Sequence, residues 1–112
     1  MKKAIAIAAL VSSNAVAGNY ATCLLEKMPG LQNDAAAAGA RVVCLDKYPG
    51  GFDVIPQGGG LGFLSYKSGA ECLMKKAGDT RSNLAARAIL IACKKLYDKP
   101  KPFGAFDPAS AR

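Results

Sequence analysis

The sequence has no histidine and no tryptophan among its 112 residues. Histidine is the side chain that usually acts as an acid or base near neutral pH, and it is the commonest metal ligand. Without it, a serine or cysteine hydrolase would have only an unusual Ser–Lys arrangement to activate its nucleophile. We therefore predict that the protein is not an enzyme, with no catalytic residues and no cofactor.

The sequence also lacks a closely spaced cysteine pair. Its four cysteines, Cys23, Cys44, Cys72 and Cys93, are separated by 21, 28 and 21 positions. Structural zinc sites usually pair cysteines about two to four residues apart, and thiol redox enzymes use a Cys-x-x-Cys motif. The spacing therefore predicts no metal site and favours disulfide bonds.

One catalytic alternative stays open. Glu26 and Glu71 occupy nearby positions in the two halves of the chain, and a pair of carboxylates is the machinery of most glycoside hydrolases. Two unrelated surface carboxylates are the simpler interpretation of these residues.

A hydrophobic run long enough to cross a membrane is missing as well. The longest run near the start, Ala4 to Val11, has eight residues, whereas a transmembrane helix needs about 20. It follows Lys2 and Lys3 and precedes the small-residue sequence Ala15-Val16-Ala17. This pattern is typical of a secretory signal peptide cleaved after Ala17, and it predicts a periplasmic or secreted protein.

The rest of the chain contains an internal repeat with an offset of 49 positions. Each copy is a Cys-x20-Cys unit, and the matched pairs are Ala21 and Ala70, Cys23 and Cys72, Leu24 and Leu73, Lys27 and Lys76, Ala36-Ala37 and Ala85-Ala86, Cys44 and Cys93, and Tyr48 and Tyr97. Such self-similarity indicates two copies of one structural unit. We divide the chain into a signal peptide (1–17), a single domain (18–98) and a flexible Pro/Lys-containing tail (99–112). Within the domain, the repeats cover about 19–48 and 68–97, and a connector covers 49–67.

Each repeat reads as two helices. Apolar residues recur at helical spacing in 20–28, 35–48 and the segment after Ser82, and Ser68 can cap a helix over 69–77. The second helix of repeat 1 has a small apolar face, Ala36, Gly39, Ala40, Val43 and Cys44, which predicts close packing against another helix. The last helix has a longer stripe, Leu84, Ala85, Ala88, Ile89, Ala92, Cys93 and Leu96, and the additional apolar residues Leu90 and Ile91 predict a central helix buried on two sides.

Four cysteines allow three disulfide connectivities, and sequence alone does not choose between them. A helical hairpin brings its two ends together, so the repeated spacing favours Cys23 with Cys44 and Cys72 with Cys93. Each bridge would close a loop of about 21 residues and stabilise the fold by about 3 kcal/mol.

The connector between the repeats is rich in glycine. Six of the twelve glycines lie between Gly50 and Gly62. This composition predicts a connecting loop, and the alternative is a short β-hairpin with strands near 52–55 and 61–66.

Positive charge is concentrated in the second half of the chain. Residues 67–101 hold nine Lys and Arg against three Asp and Glu, a net charge of +6, whereas residues 18–53 have a net charge of −1. The candidate basic binding patch consists of Lys75, Lys76, Arg81, Arg87, Lys94 and Lys95. It would bind an acidic partner, and the alternative is an ordinary solvated helix surface. Aromatic residues do not interleave with these charges, which disfavours nucleic acid.

The stretch from Cys23 to Ala37, with the sequence CLLEKMPGLQNDAAA, continues to the second cysteine at Cys44. It resembles a motif of small uncharacterised bacterial exported proteins: a cysteine and a short helix, then Met-x-Gly, Asn/Ser-Asp, an alanine pair and a second cysteine. The second repeat is a weaker version of this motif. The resemblance implies a bacterial envelope origin, and it implies neither an activity nor functional residues.

Together these patterns predict an all-α fold in which two disulfide-pinned helical hairpins pack as a four-helix unit. We predict that the protein binds another envelope or extracellular protein, as an adaptor or an inhibitor-like module. The alternative partner is an anionic polymer or a membrane surface, bound by the basic second repeat.

Overall fold

The computed structural model of the protein describes residues 18–62 and 65–100. These residues form four α-helices: α1 (Tyr20–Lys27), α2 (Asp34–Lys47), α3 (Gly69–Lys76) and α4 (Asn83–Tyr97). A short 3₁₀-helix, Gly51–Val54, lies between α2 and α3. The predicted signal peptide (1–17) and most of the predicted tail (101–112) lie outside the described residues.

All four helices begin at a side-chain cap, and the caps follow the repeat. Asn19 and Ser68 cap α1 and α3, and Asn33 and Ser82 cap α2 and α4. Within each pair the two residues are 49 positions apart. Each side-chain oxygen accepts a hydrogen bond from a backbone N–H of the first helical turn, which would otherwise have no partner. The internal repeat is therefore a repeat of local helix-starting signals.

The two disulfide bonds join Cys23 to Cys44 and Cys72 to Cys93. The first connects α1 to α2 in the first hairpin, and the second connects α3 to α4 in the second hairpin. The predicted fold class and the within-repeat pairing are confirmed. With no free cysteine among the described residues, both bridges act as covalent staples for a small core.

Helix α4 is the centre of the fold, because it packs against α1, α2 and α3. Six of the seven residues in its predicted stripe are buried, and Leu84 is half-buried. Leu24 of α1 and Met28, the residue that follows this helix, are fully buried in the same core. The expectation that Leu90 and Ile91 bury a second side of α4 is wrong, because both side chains remain partly exposed.

The predicted inward face of α2 is also partly wrong. Ala36, Gly39 and Val43 are exposed, whereas Ala37 and Cys44 are buried. The disulfide fixes the rotation of α2, because Cys44 must face α1. A residue seven positions earlier then lies on the same side of the helix, which turns the Ala36–Val43 side toward solvent.

The glycine-rich connector has no strand among its described residues, and it covers the C-terminal end of α4. Backbone N–H groups of Gly58 and Gly60 donate to the carbonyl oxygens of Lys95 and Leu96, each at 2.8 Å. Gly58 has a φ of +79°, which favours glycine. A Cβ at Gly60 would lie 3.0 Å from Cβ of Leu96. The glycines thus allow the connector to approach and satisfy the last carbonyl groups of the central helix.

Candidate functional site

An apolar groove opens on the surface where the two hairpins meet. It has a volume of about 310 Å³ and is lined by Tyr20, Leu24, Arg41, Phe52, Leu84, Arg87, Ala88 and Ile91. The buried residues Tyr20, Leu24 and Ala88 form its floor. Phe52 and Leu84 are half-buried, and Ile91 is 45% exposed. A volume of this order suits one or two side chains of a partner, or a small ligand.

Aromatic packing shapes one part of the groove. The rings of Tyr20 and Phe52 meet edge to face, with centroids 4.7 Å apart and an interplanar angle of 73°. Tyr20 is the first residue of α1, and Phe52 belongs to the 3₁₀-helix. Edge-to-face pairs add to the stability gained from burial alone. The connector therefore helps to build the groove.

Two arginines provide the charged groups of the groove. Arg41 lies four residues after Ala37 and three before Cys44, so it shares the inward side of α2 with these buried residues. Arg87 lies on α4, one turn before Ile91. Both arginines are exposed, so their guanidinium groups are available beside the apolar floor.

The predicted basic patch is spread along the whole second hairpin. Lys75 and Lys76 are in the last turn of α3, and Lys94 and Lys95 are in the last turn of α4. Cys72, in the middle of α3, is bonded to Cys93, which precedes Lys94. Lys75 and Lys76 lie three and four residues from this bond along α3, and Lys94 and Lys95 lie one and two residues from it in the opposite direction along the hairpin. The separation along the hairpin is therefore roughly 6–9 Å at 1.5 Å per residue, which is within the screening length of about 10 Å in 0.1 M salt.

The two remaining members of the patch occupy different settings. Arg81 is exposed in the turn before α4, close in sequence to the end of α3. Arg87 is the one member of the patch that lines the groove. The structure thus joins Arg87 with Arg41 of the first repeat, a residue outside the predicted patch.

Residues 18–62 and 65–100 contain no cluster of three His, Cys, Asp or Glu side chains arranged to hold a metal ion. None of the helices in this part of the chain has both the length and the apolar character of a membrane span. Glu71 Oε1 accepts a hydrogen bond from the backbone N–H of Lys67 at 2.7 Å, which gives this carboxylate a role at the start of α3.

Among residues 18–62 and 65–100, two titratable groups have perturbed pKa values, and both lie outside the groove. Hydrogen bonds from the Ser82 hydroxyl and the Leu84 backbone N–H lower the pKa of Asp34, and partial desolvation opposes this effect. Burial raises the pKa of Tyr97, and Tyr66 adds to the increase. The ring of Tyr66 meets Tyr97 edge to face at 5.1 Å. Both groups connect elements of the fold.

Most of the groove is not apparent from the sequence. The signal that points to Arg41 is a charged residue at helical spacing with the inward-facing Cys44. The signal that points to Ile91 is its position off the buried stripe of α4. Neither signal identifies Phe52, because the folding of the connector onto α1 is a long-range contact.

No family profile, curated protein or solved structure matches this chain.

Proposed function

We propose that the protein is a binding module of the bacterial envelope that recognises another protein through the groove between its hairpins. The observation that carries this proposal is the pairing of an open apolar floor with two arginines from different repeats. Tyrosine and arginine are enriched among the residues that dominate binding energy at protein interfaces. The groove offers both types within one small area.

The groove chemistry favours a partner segment with an apolar side chain next to a carboxylate. The apolar side chain would contact the more exposed lining residues Leu84 and Ile91, and the carboxylate would accept hydrogen bonds from Arg41 or Arg87. Arginine suits this role because its planar guanidinium group binds a carboxylate through two parallel hydrogen bonds. The proposal therefore specifies an acidic, partly apolar protein surface.

The surroundings of the groove extend the available contact area. Leu45 lies one turn after Arg41 on α2 and is 38% exposed, and Ile91 borders the opposite side. A stable protein interface buries about 800 Å² on each partner, which is more than the groove alone provides. We expect the groove to be the centre of the contact, with these exposed apolar residues around it.

Site-specific photo-cross-linking in the cell envelope tests this function. A photoreactive amino acid at Ile91 should give one dominant protein adduct. The same group at Gln32, which is exposed in the turn between α1 and α2, serves as the control position and should not give this adduct. Equal labelling of many proteins from both positions, or no protein adduct from Ile91, would contradict the proposal.

The arginines provide a second level of test. Replacing both, as R41Q/R87Q, removes the charge-assisted hydrogen bonding to the partner carboxylate, which is worth about 1.5–3 kcal/mol. The Ile91 adduct should fall about tenfold or more in yield at limiting partner concentration. R81Q is a matched control, because Arg81 is exposed and lies outside the groove. An unchanged yield in R41Q/R87Q would retain protein binding and reject the acidic partner.

The alternative function is binding of an anionic polymer or membrane surface by the basic second repeat. Salt distinguishes it from the groove proposal, because counterion release makes polyanion affinity fall steeply with ionic strength, whereas an apolar contact persists. The K94E/K95E variant makes the same distinction. Binding that survives both moderate salt and K94E/K95E would exclude this alternative.

A further inference from the structure

The two hairpins contact each other through different surfaces. In the repeat, α3 corresponds to α1 and α4 corresponds to α2. Helix α1 packs closely against α4, but the corresponding pair, α3 and α2, has no comparable contact. A two-fold arrangement of the hairpins would make both contacts equally. The internal interface is therefore heterologous: the first hairpin contributes α1 and part of α2, whereas the second hairpin contributes α4.

A heterologous contact between similar units leaves one unused surface on each unit. On the second hairpin it is the α3 side. Leu25 of α1 is 6% exposed, whereas its counterpart Met74 of α3 is 79% exposed. Ala21 is fully buried, and its counterpart Ala70 is exposed. Half-buried Leu73 and Ala77 continue the same stripe at helical spacing. We name Ala70, Leu73, Met74 and Ala77 the α3 face.

On the first hairpin the unused surface is the side of α2 that was predicted to be buried. Ala85, Ala88 and Ala92 of α4 are buried, and their counterparts are Ala36, Gly39 and Val43. All three counterparts are exposed, Val43 at 50%. We name Ala36, Gly39 and Val43 the α2 face. Its small residues allow the same close approach of another helix that the alanines of α4 allow.

We infer that copies of this protein associate head to tail, with the α3 face of one copy packed against the α2 face of the next. Within one chain, α1 packs against α4. The α3 face corresponds in the repeat to the α1 side of this contact, and the α2 face corresponds to the α4 side. The proposed contact between copies therefore has the same geometry as the contact between the hairpins. Terminal units of repeat proteins usually have polar outer surfaces. In this protein the outer surfaces of the two hairpins instead expose the apolar side chains of Met74 and Val43.

Sedimentation velocity of the exported, oxidised protein tests this inference directly. Measured from about 10 μM to 1 mM, a range suited to weak protein contacts, the average mass should rise with concentration beyond twice the monomer mass. A heterologous contact produces this result because each added copy leaves a free face at both ends. A constant monomer mass over the whole range would overturn the inference.

A pair of end-blocked variants identifies the geometry. V43E places a charge on the α2 face, and M74E places one on the α3 face. Both side chains are at least half exposed, so the monomer fold should be retained. Each variant alone should stay monomeric, because every contact needs both faces. An equimolar mixture should form a dimer and nothing larger, since V43E retains an intact α3 face and M74E retains an intact α2 face.

Val54 supplies the matched control. It is 71% exposed on the 3₁₀-helix and belongs to neither face, so V54E should associate as the unmodified protein does. If V43E is monomeric while M74E still dimerises, the contact is between two α2 faces and the head-to-tail inference is wrong. A mixture of V43E and M74E that remains monomeric also rejects it.

Discussion

Asp34 and Ser82 join the two hairpins at their turns. The hydroxyl of Ser82 donates to Oδ1 of Asp34 at 2.6 Å, and the backbone N–H of Leu84 donates to the same oxygen at 3.2 Å. Ser82 is also the N-cap of α4, because its Oγ accepts from the N–H of Ala85 at 3.0 Å. A carboxylate from the first turn of α2 therefore completes the start of the central helix, where negative charge is favoured.

This contact predicts a pH dependence of stability. The hydrogen bonds lower the pKa of Asp34 below its ordinary value of 3.8, so the folded state binds this proton less tightly than the unfolded state. The carboxylate contributes stability above that ordinary value, and the contribution is lost as the pH falls through the lowered pKa. The D34N variant has no carboxylate at this position, so it lacks this contribution at every pH. Urea unfolding from pH 6 to pH 2.5 should show D34N less stable than the unmodified protein at pH 6, with the difference shrinking below pH 4. A difference that is constant over this range would contradict the prediction.

Alanine substitutions at Gly60 and Gly39 should change the stability of the fold in opposite directions. A Cβ at Gly60 would lie 2.9 Å from Cε1 of Tyr97 and 3.2 Å from the carbonyl oxygen of Leu96. G60A should therefore destabilise the fold by about 1–3 kcal/mol through overpacking. Gly39 lies within α2 with nothing near the added methyl group, so G39A should stabilise the fold by about 1 kcal/mol. Thermal unfolding of the two variants should give shifts of opposite sign, and a stabilising G60A would show that the connector does not pack on α4.

Removing the side chain of Gln57 should weaken the last turn of α4 without loosening the rest of the fold. Its Nε2 donates to the carbonyl oxygens of Lys94 at 2.7 Å and Asp98 at 2.9 Å. Q57A removes both bonds, at a cost of about 1 kcal/mol for an exposed neutral contact. Amide hydrogen exchange should accelerate in the last turn of α4 and remain unchanged in α1. Gln32, which donates to the carbonyl oxygen of Gly30 at 2.7 Å in the opposite turn, provides the control: Q32A should leave exchange at the end of α4 unaffected.

Removing either disulfide bond should reduce the stability of the fold by the same amount. Both bridges span 21 positions, so removing either pair by Cys→Ala substitution should cost about 3 kcal/mol in the chain-entropy account. This is a large part of the roughly 5–15 kcal/mol available to a small domain. Urea unfolding of C23A/C44A and C72A/C93A measures the two values. If C72A/C93A loses much less stability than C23A/C44A, α3 is held in place chiefly by its packing against α4.

The local features of the fold were accessible from the sequence. The cap Ser68 was predicted correctly, because it is a short polar residue immediately before a helical pattern. The disulfide pairing followed from the repeated spacing. The apolar stripe of α4 was predicted correctly, because a central helix is buried over a broad face and its apolar residues therefore recur with a clear helical period. Each of these features depends on residues within one repeat.

The features that were missed depend on how the repeats sit together. Nothing within repeat 1 distinguishes the Ala36–Val43 side of α2 from the matching side of α4, because the residues on both sides are small and apolar: Ala36, Gly39 and Val43 in α2, and Ala85, Ala88 and Ala92 in α4. Their different burial arises from a heterologous contact that only tertiary structure reveals. The groove was missed for the same reason, since Arg41, Phe52 and Arg87 come from three separate parts of the chain.

The order of the cysteines has a consequence for how the protein is made. Both bridges join neighbours in the sequence, Cys23 with Cys44 and then Cys72 with Cys93. If the chain is exported as we propose, it emerges gradually into an oxidising compartment and exposes the first pair before the second. An oxidant that joins thiols in their order of appearance then forms both native bridges directly. Biogenesis of this protein should therefore need a thiol oxidase and should be independent of a disulfide isomerase, whose task is to rearrange wrongly joined pairs.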